Sequence, residues 1–263
     1  MRNVILISVF LAIFGMFSCS QKHDYGLPTT DFKSIERDFT KWWTYHSNNI
    51  SLSSDFIPVD NHSKKISKEE FLKNLTSGEF IPLKLSSKDN NTCYQLFKLD
   101  QQADEQIRST IQNTAFTSYK YFRMEGKYFP KFNFTDLNGT EFNNDNTKGK
   151  IVIIKCWFIK CAPCVAEFPV LNDFAEKNGG RKDLVFISLA FDQKDELNEF
   201  LLKNPFKYAV IADQRQFMSN DLKITAYPTH IILGRDGKIL KVTNKADEMM
   251  NAFQKLDHLE EKN

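Results

Sequence analysis

The sequence predicts an α/β fold, a central mixed sheet with helices on both faces, preceded by a smaller α+β module. The run from 151 to 158 is apolar except for Lys155, which is typical of a central strand buried on both faces. From about Gly126 onwards, strand-like and helix-like segments alternate and the last two strands form a hairpin. The 263 residues are enough for two modest domains. We therefore place a module over 31–125 before an α/β domain over 126–263.

The composition is that of an ordinary globular protein, with 41% hydrophobic and 26% charged residues. Lys and Arg total 35 against 33 Asp and Glu, which leaves a net charge of +2. The sequence contains no basic run of the kind that contacts nucleic acid. We therefore expect no nucleic-acid partner.

The N-terminus predicts export. A 14-residue apolar run over 4–17 is too short to span a membrane but suits the core of a signal peptide. The residues Met16-Phe17-Ser18-Cys19 resemble a bacterial lipobox, although Met16 and Phe17 differ from its usual residues. This resemblance implies a signal peptide over 1–18, an acylated Cys19, a lipidated tether over 19–30, and a membrane-anchored lipoprotein of the cell envelope facing the periplasm or exported side. The alternative is an ordinary cleaved signal.

In the module over 31–125, apolar residues recur at helical spacing in some segments and alternate with polar ones in others. The predicted elements are a helix over 31–47, an extended segment over 52–59, a helix after the capping box 67–70, hairpin strands over 80–85 and 94–99, and a long helix over 103–124. The module carries no motif to which chemistry can be attached, so its role is open. Its paired Trp42 and Trp43 are predicted to be core residues.

In the domain over 126–263, short turns separate the apolar segments. The predicted elements are a hairpin over 132–142, a strand over 151–158, a helix over 162–177, a strand over 184–190, a helix over 194–202, a short strand over 208–211, a helical turn near 217, a hairpin over 229–242, and a helix over 246–259.

The segment Cys161-Ala162-Pro163-Cys164 joins the central strand to the next helix. The amides and dipole of a helix N-terminus stabilise an anion, so the first cysteine can be a thiolate near neutral pH. Two intervening residues on a helical turn bring both sulfurs within bonding reach, and a proline in the first turn costs no hydrogen bond. The spacing alone also fits half of a zinc site, but no second half is present, so we expect neither metal nor cofactor.

The second half resembles the TlpA/ResA-type branch of the thioredoxin superfamily, within the wider AhpC/TSA–redoxin group. The resemblance rests on the strand running into the cysteine pair, on the segment 167–169 (Glu-Phe-Pro), and on 227–229 (Tyr-Pro-Thr). It implies a thioredoxin-like fold and thiol–disulfide exchange with protein thiols or disulfides and an envelope electron donor or acceptor. Cys161 would attack, Cys164 would resolve to form the Cys161–Cys164 disulfide, and Pro228 would be a cis-proline lying against it.

Two charged residues are predicted to tune this pair. Glu167 matches the glutamate that the branch places in the cavity beneath its cysteines, where a carboxylate could relay a proton to or from Cys164. Lys155 stands six residues before Cys161, where thioredoxin itself has a buried acid. A buried ammonium needs a partner, so Lys155 is expected to contact Glu167 or the sulfurs. The alternatives are an exposed Glu167 and a Lys155 that reaches the edge of the sheet.

Of the remaining candidates, Cys93 and Cys156 are predicted to be buried structural thiols, and His230 is predicted to point away from the site. Lys160 replaces the usual Trp before the first cysteine.

Two other functions stay open. A peroxiredoxin-like thiol peroxidase would need the motif P-x-x-x-[TS]-x-x-C, but Ile154 and Phe158 occupy the two key positions. A non-enzymatic metal-handling or structural lipoprotein would typically separate its cysteines by three residues.

Overall fold

The computed structural model describes residues 25–87 and 91–260 of the chain. The predicted signal peptide over 1–18 and the predicted lipidation site Cys19 lie outside the described residues. Within the described part, no helix combines the length and apolar character that a membrane span requires.

The first half folds into four helices and a three-stranded sheet. The elements are α1 (Phe32–Ile35), α2 (Phe39–Asn49), β1 (Ile57–Val59), α3 (Lys68–Leu75), β2 (Phe80–Lys84), β3 (Cys93–Lys98) and α4 (Glu105–Phe122). The strand order is β1-β3-β2, with β1 parallel and β2 antiparallel to β3. Side-chain oxygens cap four of the helices at Asp31, Asp38, Ser67 and Asp104.

Two sequence-based expectations for this half were wrong in detail. The predicted helix over 31–47 is two helices, because Asp38 adopts an extended conformation and its carboxylate caps a new helix by accepting from the Lys41 amide. Of the paired tryptophans, Trp42 is fully buried, whereas Trp43 is 44% exposed. Residues one apart on a helix point in different directions, so only one of the two can face the core.

Helix α4 contributes to both halves of the molecule. Its residues Ile107, Ile111 and Ala115 are buried in the hydrophobic core of the first half. One residue before its end, Tyr121 is buried in the core of the second half, and the helix packs against the last strand of the second sheet.

The second half contains the predicted mixed sheet. Its elements are β4 (Asn133–Thr135), β5 (Glu141–Asn143), β6 (Ile151–Trp157), α5 (Ala162–Ala166), α6 (Phe168–Lys177), β7 (Leu184–Ala190), α7 (Lys194–Lys203), β8 (Ala209–Ile211), a π-helical turn (Phe217–Asp221), β9 (Thr229–Leu233), β10 (Ile239–Thr243) and α8 (Ala246–Glu260). The five-stranded order is β10-β9-β6-β7-β8. Strands β6, β7 and β8 are parallel, and β9 is antiparallel to both of its neighbours.

Strand β6 lies at the centre of this sheet, and all its residues are buried. One face is covered by α6 and α8, and the opposite face by the β4–β5 segment, the π-helical turn and the end of α4. The α/β class with a central mixed sheet is therefore confirmed, and the helix on the second face comes from the first half of the chain.

The helix predicted over 162–177 is interrupted at Glu167, which ends α5 and precedes α6. The cause is Pro169, which has no amide hydrogen to donate to the carbonyl of Val165 and whose ring would clash with that carbonyl in a continuous helix. The Glu167 amide bonds the Val165 carbonyl instead.

Candidate active site

The cysteine pair follows the central strand after a three-residue loop. Cys161 is the N-cap residue of α5, and its sulfur forms a disulfide with Cys164, with the two Cα atoms 5.2 Å apart. The Cys161 Sγ also accepts the backbone N–H of Cys164 at 3.3 Å. Cys161 is 5% exposed and Cys164 is fully buried, so Cys161 is the more accessible residue of the pair. Because α5 has only five residues, this direct N–H contact, and not the dipole of a long helix, is the local source of anion stabilisation.

The loop before Cys161 is held from the neighbouring strand. The backbone N–H of Ile159 donates to the Asp192 carboxylate at 2.8 Å, just beyond the end of β7. Lys160 is exposed at the rim, beside the first cysteine.

Apolar and aromatic side chains surround the disulfide. Both cysteines belong to one buried cluster with Trp157 and Phe168, and Tyr227 packs against this cluster. The Tyr227 ring also contacts the ring of Phe158, with centroids 5.7 Å apart. The sulfurs therefore lie in a mostly dry environment in which nearby charges act strongly.

Pro228 follows Tyr227 at the start of β9. The Tyr227–Pro228 peptide bond is cis, the isomer that the resemblance implied. Pro228 is buried, and its carbonyl accepts a hydrogen bond from the Asn244 side chain at 2.6 Å.

Lys155 and Glu167 form a buried ion pair, with Nζ 2.5 Å from Oε2. The Lys155 side chain is fully buried and that of Glu167 is 18% exposed. Lys155 therefore contacts Glu167, one of the two partners that the sequence suggested, and it does not reach the edge of the sheet. The other carboxylate oxygen, Oε1, accepts the Ala246 backbone N–H at 2.9 Å.

His230 completes the group, and the expectation that it points away from the site was wrong. Its Nε2 lies 3.0 Å from Oε2 of Glu167, and its side chain is fully buried. Lys155 on β6 and His230 on β9 are directly paired across the two strands. Directly paired residues share one face of a sheet, so both side chains point toward Glu167. The strand register was the signal that could have revealed this.

The charges of the three residues follow from burial and pairing. Burial lowers the pKa of His230, so the imidazole is neutral near pH 7 and Nε2–H donates to Glu167. Burial alone would raise the pKa of Glu167, but the hydrogen bonds from His230 and Lys155, together with the Lys155 charge, outweigh it and lower the pKa to about 2. Burial lowers the pKa of Lys155 against the opposing effect of Glu167. In this disulfide state Glu167 is thus an ionised acceptor, and the exchangeable protons of the group reside on Lys155 and His230.

The other two described cysteines are buried free thiols, as the sequence predicted. Burial raises the pKa of Cys93 to about 11. Burial also raises the pKa of Cys156 well above its ordinary value, although Lys155 opposes the effect. Both are poor nucleophiles near neutral pH, because the thiolate is the reactive form.

Comparison with known proteins identifies the second half of the chain. The model of the Redoxin family matches residues 124–258, which is half of the chain. Similar proteins include thiol–disulfide oxidoreductase ResA from Bacillus thuringiensis subsp. konkukian, 30% identical over 133 residues that make up 48% of this chain and 76% of ResA. ResA from Bacillus subtilis is 26% identical over 51% of this chain and 74% of its own. Among solved structures, the thioredoxin domain of a Bacteroides vulgatus thiol–disulfide oxidoreductase is 20% identical, with a TM-score of 0.46 over 50% of this chain and 96% of that domain.

The matched region contains β4 to β10 and the cysteine pair, and it extends into α8. The chain belongs to the Redoxin family and is a thiol–disulfide oxidoreductase of the ResA type with a thioredoxin-like fold.

Proposed function

We propose that Cys161 and Cys164 are the redox pair through which the chain exchanges disulfides with protein thiols of the cell envelope. The observation that carries this proposal is the Cys161–Cys164 disulfide at the start of α5, in which the sulfur of the less buried cysteine, Cys161, accepts the Cys164 N–H. An N–H donor aimed at Cys161 favours its thiolate over that of Cys164.

Reduction of a client disulfide would proceed in two balanced steps. The Cys161 thiolate attacks one client sulfur, so a mixed disulfide forms and the other client sulfur leaves as a thiolate that takes up a proton. Cys164 then loses its proton and attacks Cys161 Sγ, which closes the Cys161–Cys164 disulfide and releases the second client sulfur. Two electrons pass from the pair to the client, and the reverse sequence oxidises a client dithiol. An envelope electron donor or acceptor restores the starting state of the pair.

We assign supporting roles to three further residues. Pro228 would border the cysteine pair and shape the surface past which a client sulfur approaches Cys161. Glu167 and Lys155 would tune the cysteines and exchange the proton of Cys164. Because the pKa of Glu167 is lowered to about 2 in the disulfide state, the Lys155 ammonium, held by Glu167, would store the proton. It would give this proton to the Cys164 thiolate when the disulfide is reduced, and the resulting neutral amine would take it back when Cys164 attacks Cys161.

We also propose that the chain is exported and anchored by lipid at Cys19, with a tether over 19–30, the module over 31–125 and the redox domain over 126–263. The short apolar run and the lipobox-like residues support this placement. Growth with labelled palmitate should label the wild-type protein but not Cys19→Ala, and the variant should leave the membrane fraction. A wild-type protein that stays unlabelled and soluble would refute the anchor and leave the redox proposal unaffected.

The redox proposal is tested by dithiothreitol-driven reduction of insulin disulfides. Wild-type protein should accelerate the reaction, and both Cys161→Ser and Cys164→Ser should abolish the acceleration. Cys164→Ser should also trap mixed disulfides with client proteins, because the resolving thiol is missing. The matched control is Cys93→Ala/Cys156→Ala, which removes two thiols outside the pair and should keep full activity. Activity that survives in Cys161→Ser would overturn the assignment.

A further inference from the structure

The first half of the chain reaches the Pro228 segment through the end of α4. Tyr121 is 3% exposed, and its hydroxyl lies 3.0 Å from Oγ1 of Thr229, the residue that follows Pro228. Tyr121 lies just outside the region matched by the family model, which begins at residue 124. The first half of the chain therefore supplies this contact to the redox domain.

The hydrogen-bond inventory of Thr229 fixes the direction of this contact. The Thr229 hydroxyl donates its only hydrogen to the carbonyl of Ala226 at 2.7 Å, and it accepts from Nδ2 of Asn244 at 3.0 Å. One accepting lone pair remains, so the Tyr121 O–H must be the donor. The Thr229 hydroxyl is thus saturated, and removal of the Tyr121 hydroxyl leaves a fully buried oxygen one partner short.

The same turn of α4 holds the segment at a second point. The ammonium of Lys120 donates to the carbonyl of Lys223, a residue whose φ of 55° lies in the left-handed region that side chains disfavour. Between the two contacts lies Tyr227, whose ring packs against the cluster that contains both cysteines. Movement of this segment would therefore change the packing over the disulfide.

We propose that Tyr121 is a positioning residue for the redox site, and that one role of the first half is to hold the segment 223–229 against the cysteine pair. This inference rests on the proposed function of Cys161 and Cys164. Tyr121 acts through Thr229 and does not itself contact a sulfur in the cluster described above. Without its hydroxyl, the segment loosens, Tyr227 packs less tightly, and water gains access to Cys161.

The test is the equilibrium between disulfide and dithiol in the full chain with Tyr121→Phe. Hydration stabilises a thiolate more than a disulfide, so the variant should shift toward the dithiol. We expect at least a threefold change in the equilibrium constant against a dithiothreitol couple, measured by alkylation of quenched mixtures. The matched control is Tyr119→Phe, which removes a hydroxyl that contacts Glu69 within the first half and should leave the constant unchanged.

A double-mutant cycle separates positioning from general loss of packing. Thr229→Val removes the acceptor and should shift the equilibrium in the same direction, whereas Thr229→Ser keeps the hydroxyl and should match the wild type. Tyr121→Phe should then add no further shift in the Thr229→Val background. If Tyr121→Phe does not fold, the comparison of Thr229→Val with Thr229→Ser decides the same point.

An unchanged constant in Tyr121→Phe, a shift toward the disulfide, or effects that simply multiply in the cycle would overturn the positioning role. Loss of insulin reduction in Cys161→Ser tests the redox pair independently, so a failure of either proposal can be recognised separately.

Discussion

Lys155 and Glu167 reverse the arrangement that the sequence comparison with thioredoxin suggests. The resemblance places a buried acidic residue of thioredoxin at the position of Lys155. In this chain the central strand carries a buried basic residue at that position instead. The acid comes from Glu167 at the break between α5 and α6, 2.5 Å from the Lys155 ammonium. The buried charge on the strand is paired, but it is positive in this chain, whereas an acidic residue would make it negative.

Loss of the lysine charge should destabilise the fold. We expect Lys155→Met to lower the free energy of unfolding by about 3–5 kcal/mol, because it leaves the buried Glu167 carboxylate without its cationic partner. Urea unfolding measures this loss, and Lys148→Met at an exposed position is the control. The double variant Lys155→Met/Glu167→Gln should be more stable than Lys155→Met alone. Equal stabilities would show that the carboxylate is not held by this lysine.

The same pair should tune the cysteines. Lys155→Met removes a positive charge, so it should raise the pKa of a cysteine by about 1, and Glu167→Gln should lower it. Thiolate absorbance of the reduced, folded variants measures both values. Titration curves that coincide with the parent would reduce the site to Cys161, Cys164 and Pro228.

Acid should unfold the protein partly through Glu167. Its pKa in the folded state is lowered to about 2 from an ordinary value of 4.5. The folded state therefore binds fewer protons than the unfolded state, and this contribution is present above pH 4.5 and lost as the pH falls toward 2. Urea midpoints measured across this range should fall less steeply in Glu167→Gln than in the wild type. Parallel pH profiles would contradict the assignment.

His46 should produce a separate dependence at milder pH. Burial, aided by the charge of Lys245, lowers the pKa of His46 from 6.5 to about 4. Stability from this group is complete above pH 6.5 and decreases as the pH falls toward 4, by about 3 kcal/mol in total. His46→Phe keeps a ring beside Trp42 and should remove the dependence between these pH values. If the stability of the wild type did not change between pH 6.5 and about 4, this prediction would be refuted.

Alkylation of the native, reduced protein should distinguish the four thiols of the described chain. Cys161 should react first, because it alone of the pair is reached by solvent and its thiolate has an N–H donor. Cys93 and Cys156 should react only after denaturation, because burial raises the pKa of each. Mass spectrometry of early time points identifies the labelled residue. Early modification of Cys156 would mean that the sheet opens around β6.

Local patterns in the sequence were sufficient for most elements of the second half. The apolar run 151–158 identified β6, and the position of the cysteine pair at the end of this strand followed directly. The pairing of Lys155 with Glu167 was one of two options, because a buried ammonium must find an anion but the sequence does not say which.

The contacts that the sequence missed depend on register and on distant segments. The direction of His230 follows from its pairing with Lys155 across β6 and β9, which no local pattern reveals. The break at Glu167 follows from Pro169, whose effect is local and could have been predicted. Tyr121 falls within the predicted first module over 31–125, but the last turn of its helix faces two cores: Tyr119 and Phe122 pack against the first core, whereas Tyr121 is buried in the second.

Helix α4 determines which part of this protein can be transferred to another protein, because its residues are buried in the cores of both halves. A fragment cut at Gly126, where the sequence places the boundary, keeps the whole five-stranded sheet but loses Tyr121 from the core beneath it. Chimeras built from the matched residues 124–258 would expose the apolar surface that Tyr121 covers. They would also leave the buried Thr229 hydroxyl oxygen without its Tyr121 donor. A transferable redox unit must bring α4 with it, and because Ile107, Ile111 and Ala115 on the same helix are buried in the core of the first half, the two halves should be moved together.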